Sequence, residues 1–201
     1  MAEQLSASGG EAVAQVRSLK EPLNNFITVV EPMSLDVFIS HSSSDAEIAW
    51  RLINLVRSSM KLAARLIRCT SVDGYRLPAG ISIDERLRQE IHCSKAFIAI
   101  ISPNSVHSAY VMFELGVRWG AEKPMIPLLA YGAGSNHLEG PLSTIHALNC
   151  GEPGQLHQFV EDLAGILWKT VEPVAAYQRW INEVVEESRK PRDSERTSLR
   201  P

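Results

Sequence analysis

Cysteine is scarce in this 201-residue chain, with Cys69, Cys93 and Cys150 scattered along it. An odd, unpatterned set of thiols excludes a disulfide framework and fits a reducing compartment better than secretion. The N-terminal segment carries Glu3 and Glu11 and lacks the continuous apolar stretch of a secretory signal. Long hydrophobic runs are missing too. The densest, Phe97 to Ile101 and Met125 to Leu129, fall well short of the roughly 20 residues that span a bilayer. Nor is there an excess of one charge: Lys+Arg 20 against Asp+Glu 23 leaves a net −3. That balance excludes a general affinity for nucleic-acid backbone or anionic membrane, which needs concentrated positive charge. The expectation is a soluble, cytoplasmic protein with no direct nucleic-acid or membrane partner.

Several chemistries are absent as well. Six histidines and three cysteines show no HExxH or CxxC spacing, so no metal site is expected. There is no GxGxxG, and no GxxxxGK followed by Ser or Thr, which excludes the usual dehydrogenase fold and a phosphate-loop nucleotidase. Gly132 and Gly134 lack phosphate-cradle spacing, and His92 beside Cys93 reads as a helix end rather than a nucleophile.

What is present is an ordinary globular mixture, 45% hydrophobic and 21% charged, enough for one core with decorated ends. Leu35 to Ser40 is a short, nearly continuous apolar run, as expected of a strand buried on both faces. After the polar turn His41 to Ser44, Asp45 is placed to cap a helix carrying Ile48, Leu52, Leu55 and Val56. Further strands are predicted at Arg65 to Thr70, Ala96 to Ile101, Met125 to Leu129 and Ile145 to Leu148. Helices are predicted from the Ser82–Glu85 capping box onward through Ile83, Leu87 and Ile91, over Ala109 to Trp119, and over Gln155 to Trp168. Alternation of this kind predicts an α/β fold with a five-stranded parallel sheet in order 2-1-3-4-5 and helices on both faces.

The ends differ in texture. Residues 1–33, with Val13, Val16 and Leu19 at helical spacing, read as an N-terminal helical or linker segment. The domain proper is predicted over 34–170, an amphipathic helix over 171–188, and a disordered, highly charged tail over 189–201.

In an open sheet of this order, ligands bind beyond the carboxyl ends of the first and third strands, where the strand order reverses. The loops there are His41 to Ser44 and Ser102 to Ser108, with Ser71 to Gly80 as a neighbouring wall. The helix leaving the third strand is apolar almost all round, so it is expected to be mostly buried. Its charged residues, Glu114 and Arg118, share a stripe with Tyr110. A buried carboxylate there is either paired with Arg118 across one helical turn or put to use.

Three segments together resemble a bacterial Toll/interleukin-1 receptor (TIR) domain: Asp36 to Asp45, Cys69 to Gly80, and Ser102-Pro103-Asn104 with Ser108 to Gly116. The resemblance covers about Leu35 to Trp168. It implies a flavodoxin-like domain that cleaves NAD at the nicotinamide–ribose bond, with the family's catalytic glutamate falling on Glu114. The aromatic residue four positions earlier, normally tryptophan, is Tyr110, and the cysteine that usually follows it is Val111. Substrate contacts are then expected at Phe38, Ser40, His41, Ser42, Asp45, Ser71, Tyr75, Arg76 and Tyr110. NAD enters as substrate, and no cofactor is implied. The resemblance further implies self-association through TIR–TIR contacts, an activating partner protein, and a role in antiphage defence. Under assembly, Ser71 to Gly80 of one copy would complete its neighbour's pocket, and Gly74→Pro would abolish activity with the fold intact.

Three functions fit these residues. The first is NAD hydrolysis or cyclisation, to which one carboxylate suffices because the leaving nicotinamide is already cationic. The second is a non-catalytic TIR adaptor. The third is an enzyme like the nucleoside deoxyribosyltransferases, distinguished by its use of free deoxynucleosides.

Overall fold

The computed structural model describes residues 35–75 and 83–191. In it, five parallel strands form one sheet in the order β2-β1-β3-β4-β5. The strands are β1 (Val37–Ser40), β2 (Ile67–Arg68), β3 (Ala96–Ile101), β4 (Met125–Leu129) and β5 (Leu148–Asn149). Five α-helices accompany them among the described residues: α1 (Ala46–Met60), α2 (Ile83–Cys93), α3 (Ala109–Gly120), α4 (Pro153–Leu167) and α5 (Gln178–Ser188). The predicted sheet and its order are observed.

Burial on both faces explains why β1 and β3 are apolar at nearly every position. Val37, Ile39, Ile98 and Ile100 point into a core shared with α1, α4 and α5. Phe38, Phe97, Ala99 and Ile101 point into a second core, closed by Leu87 and Ile91 of α2 and by Val111 and Leu115 of α3. In β1 the second face therefore carries Phe38 and, two residues on, Ser40, which ends the strand beside α3.

The edges depart from the sequence pattern. β2 is two residues long rather than the predicted Arg65 to Thr70, preceded by a 3-10 turn over Ala64–Leu66. Beyond Arg68 the ladder gives way to a local turn, in which the Cys69 N–H donates to the Tyr75 carbonyl. β5 begins at Leu148, three residues later than expected, because Gly140–Thr144 forms a 3-10 turn with proline in its first turn. The amphipathic stretch after Pro173 is split: Val174–Ala176 is a 3-10 turn, and α5 starts at Gln178. α5 lies along α1, where Arg51 reaches Glu183 at 3.0 Å and the Glu172 N–H reaches the Ser59 carbonyl at 2.8 Å. No helix among the described residues is long and apolar enough to cross a membrane. The predicted helix around Val13 to Leu19, the Ser82 half of the capping box, Arg76 to Gly80 and most of the charged tail lie outside the described residues.

Candidate active site at the carboxyl ends of β1 and β3

Register places the site. β1 pairs with β3 through Ser40 opposite Ala99, so both strands end at the same edge of the sheet. Ser102 follows β3 and joins that edge to the first loop. Its hydroxyl donates to Asp45 Oδ2 at 2.6 Å, and it accepts from the backbone N–H groups of Asn104 (3.2 Å) and Ser105 (3.0 Å). Asp45 is fully buried, and its side chain makes no cap hydrogen bond to α1, contrary to the expectation. It ties the two switch-point loops together instead. Removing a buried charged acceptor of this kind costs about 1.5–3 kcal/mol. Asp45→Ala is therefore expected to lower the melting temperature and to speed hydrogen exchange at Ser102 to Ser108. Unchanged exchange there would show that the loops stand independently.

Within this frame α3 presents Glu114 to the strand end. The helix starts at Ser108, whose hydroxyl accepts from the Val111 N–H at 3.4 Å. Glu114 lies 4% exposed against β1, and the Ser40 hydroxyl donates to its Oε2 at 2.5 Å. Burial pushes the Glu114 carboxyl up to about 7, against the opposing pull of the Ser40 hydrogen bond. Beside it, His41 is buried and held neutral, its imidazole lowered to about 4 by desolvation. The Cys69 Sγ sits 3.6 Å from His41 Nδ1. Its thiol is raised far from ionisation by burial and then by the Glu114 charge, so it is an inert neighbour rather than a nucleophile. The result is a buried cluster with one carboxylate shifted toward neutrality.

The expected Glu114–Arg118 helix pair does not form. Arg118, fully buried, turns away and donates to the carbonyl oxygens of Ile91, Ser94, Lys95 and Pro124. α3 is also not the mostly buried helix its composition suggested. Tyr110 is 73% exposed, and Met112, Phe113 and Trp119 also face outward. The helix packs by one side only, the side that holds Val111, Glu114, Leu115 and Arg118.

The other expected contact residues separate into two groups. Ser40, His41 and Glu114 converge, and Ser42 lies half-buried nearby, its hydroxyl 2.8 Å from that of Ser44. Tyr110 stands one turn before Glu114 with its ring open to solvent. Phe38, by contrast, is a core residue stacked on Phe97 at 5.5 Å. Tyr75 is also interior, its hydroxyl accepting from Arg57 at 3.1 Å. Asp45 is enclosed as described, Ser71 is half-buried in the turn after β2, and Arg76 lies outside the described residues. Gly74 has φ +82°, a conformation closed to proline, so Gly74→Pro would strain the turn itself instead of leaving the fold intact. Sequence reasoning missed Cys69 as a neighbour of His41 and Glu114. Its position directly after β2, level with His41 after β1, was the available signal. No group of three or more His, Cys, Asp or Glu side chains is placed to hold a metal among the described residues.

A family model described as TIR domain matches residues 37–163. Among solved structures, the TIR domains of an activated Roq1 resistosome directly recognizing the pathogen effector XopQ align with 82% of this chain and 90% of that chain. The match has 16% sequence identity and a TM-score of 0.40. No curated protein matches the sequence.

Proposed function

This chain belongs to the TIR-domain family over residues 37–163, and from that premise we propose that it is an NAD nucleosidase acting at the nicotinamide–ribose bond. One observation carries the reading: the Glu114 carboxylate is buried at the switch point against Ser40, with its acid strength shifted to about 7. Strongly perturbed acids in such a place are candidates for chemistry. In the reaction, the bond from ribose C1′ to the nicotinamide nitrogen breaks and its electron pair returns to the ring. Ionised Glu114 stabilises the positive charge that grows on the ribose. Water then adds at C1′ and releases a proton, giving ADP-ribose; attack by the substrate's own adenine gives cyclic ADP-ribose. Ser40 orients the carboxylate, and the open ring face of Tyr110 offers a stacking surface for a flat heterocycle.

The proposal includes self-association as the activating event, possession of the activity inside the cell, and use in bacterial antiphage defence. The second reading, a TIR adaptor without turnover, is favoured by one observation: Glu114 is only 4% exposed, so a substrate reaches it only after local opening.

The test is NAD consumption by concentrated protein, with and without a crowding agent, products being resolved by mass spectrometry. Wild-type protein is expected to release nicotinamide with ADP-ribose or its cyclic form. Glu114→Ala is expected to lower the rate by at least roughly 10²-fold, the scale of removing one preorganised electrostatic group. Turnover that survives Glu114→Ala would remove the residue from the mechanism. No turnover under any condition would favour the adaptor.

A further inference from the structure

The four groups that meet at the end of β1 come from three places in the chain, and none brings a positive charge. Glu114 enters from α3, Ser40 and His41 from the end of β1, and Cys69 from the turn after β2; all four are buried. His41 is held neutral and the Cys69 thiol keeps its proton. Among the described residues, the carboxylate's hydrogen-bond partner is the Ser40 hydroxyl. Arg118, one turn along α3, is engaged by backbone carbonyls, and Asp45 in the first loop accepts from Ser102. An ionised carboxylate is disfavoured in such an enclosure, because no cation there offsets its lost hydration. A protonated carboxyl keeps its contact with Ser40 and fits without that penalty.

From this enclosure we infer that Glu114 is the latch of its own site, closed while the carboxyl holds its proton and released when the proton leaves. The two ends of α3 are held unequally, which decides what moves. Arg118 fixes the carboxyl half through the carbonyls of Ile91, Ser94, Lys95 and Pro124. The amino half packs through Val111 and the Ser40–Glu114 hydrogen bond, while Tyr110, Met112 and Phe113 face outward. Ionisation therefore loosens the amino half from β1, and uncovers Glu114 together with Cys69. For the use made of this opening, the inference rests on the proposed function. It explains how a substrate reaches an acid that is 4% exposed. The charged form that the chemistry needs is also the form that opens.

Linkage gives the direction. The carboxyl ionises near 4.5 in water and near 7 in the cluster. The minor open form therefore gains population as pH rises across that interval, and gains little above it. His41 works against this. Enclosure lowers its imidazole from 6.5 to about 4, so its protonation favours opening as pH falls below 6.5. The Cys69 thiol, raised by burial, stays uncharged throughout. Above pH 6.5 Glu114 acts alone.

Cys69 is a built-in reporter of the opening. The test is its rate of labelling by dithiodipyridine in the full chain, wild type beside Glu114→Gln, from pH 5 to pH 8, with labelled peptides resolved by mass spectrometry. Dividing the two rates at each pH removes the ionisation of the opened thiol and the contribution of His41, which both proteins share. The ratio of wild type to Glu114→Gln is expected to rise roughly 40-fold between pH 5 and pH 7, and less than about twofold more by pH 8. Cys150, buried beside β5, reports unfolding of the whole domain. In the wild type at pH 8, Cys69 is expected to react at least about tenfold faster than Cys150, as local opening requires. Circular dichroism verifies that the variant stays folded. A ratio that stays flat with pH overturns the latch. So does a Cys69 that reacts no faster than Cys150, since its exposure is then global. An NAD assay on the same samples keeps the two ideas apart: a rising ratio without turnover sinks the enzyme reading and leaves the latch, and turnover with a flat ratio does the reverse.

Discussion

Replacing Arg118 by methionine is expected to destabilise the fold by about 3–5 kcal/mol, the cost of leaving several buried carbonyl oxygens without their charged donor. The guanidinium is fully buried and carries no carboxylate partner in its shell of acceptors. It is held by backbone oxygens: Ile91 and Ser94 at 2.9 Å, Lys95 at 3.2 Å, and Pro124 at 2.8 Å. Ile91 and Ser94 belong to the end of α2, where unpaired carbonyls and the helix dipole concentrate negative potential. The Phe97 ring adds a cation–π contact at 5.8 Å. Burial lowers the guanidinium to about 10, so the cation persists at neutral pH. Methionine keeps the bulk but leaves these carbonyls without donors. The expected drop in melting temperature is about 10 °C for a domain of this size. A loss below about 1 kcal/mol would mean that water replaces the guanidinium and that Arg118 does not join α2, α3 and β4. Since Glu114 lies one turn earlier on α3, the same anchor sets how that helix meets β1.

Glu114→Gln is expected to do two opposite things: remove the proposed NAD turnover and make the protein more stable at pH 8. The carboxyl ionises near 4.5 when unfolded and near 7 when folded. An acid raised in this way favours the folded state below pH 4.5, and that advantage is lost as pH rises through 7. At pH 8 the native state carries the full cost of a buried carboxylate, about 3 kcal/mol for the shift. Glutamine is neutral and still accepts from Ser40. His41 acts in the other direction. Its unfolded value of 6.5 and folded value of about 4 give stability that is present above 6.5 and lost as pH falls through 4. Between 4.5 and 6.5 the two slopes oppose each other, so the wild type is expected to show a flat stability profile there. In Glu114→Gln only the His41 slope remains, and stability should rise by about 1.4 kcal/mol per pH unit over that interval. Melting temperature against pH for both proteins measures this. A Glu114→Gln protein no more stable than wild type at pH 8 would place the carboxylate in a wetter site than the structure gives it. A buried acid that costs stability in its ionised form is the expected signature of a functional group.

How much of this was legible in residues alone varies with position. β3 and β4 were read to the residue, because a central parallel strand must be apolar on both faces. Alternation of those runs with helical spacing determined the parallel sheet, its order, and hence the end at which a ligand is expected to bind. Glu114 stood out as a carboxylate in an apolar helix. Those conclusions depend on local pattern and on general rules of chain connection, both of which one chain carries by itself.

The tertiary structure decided the rest. Edge strands β2 and β5 pair on one side only, so two residues suffice where the pattern suggested four to six, and turns outcompete the ladder. Composition read α3 as buried, since it cannot say which half of an apolar helix meets the sheet; packing against β1 and α2 turned the charges inward and the aromatics out. The partner of Glu114 is Ser40, 74 positions away, and that of Arg118 is a set of backbone carbonyls, which no side-chain pattern records. Helix spacing allowed Glu114 and Arg118 to pair with each other. Only the closed fold, by bringing better acceptors and donors within reach of each, determined that they do not.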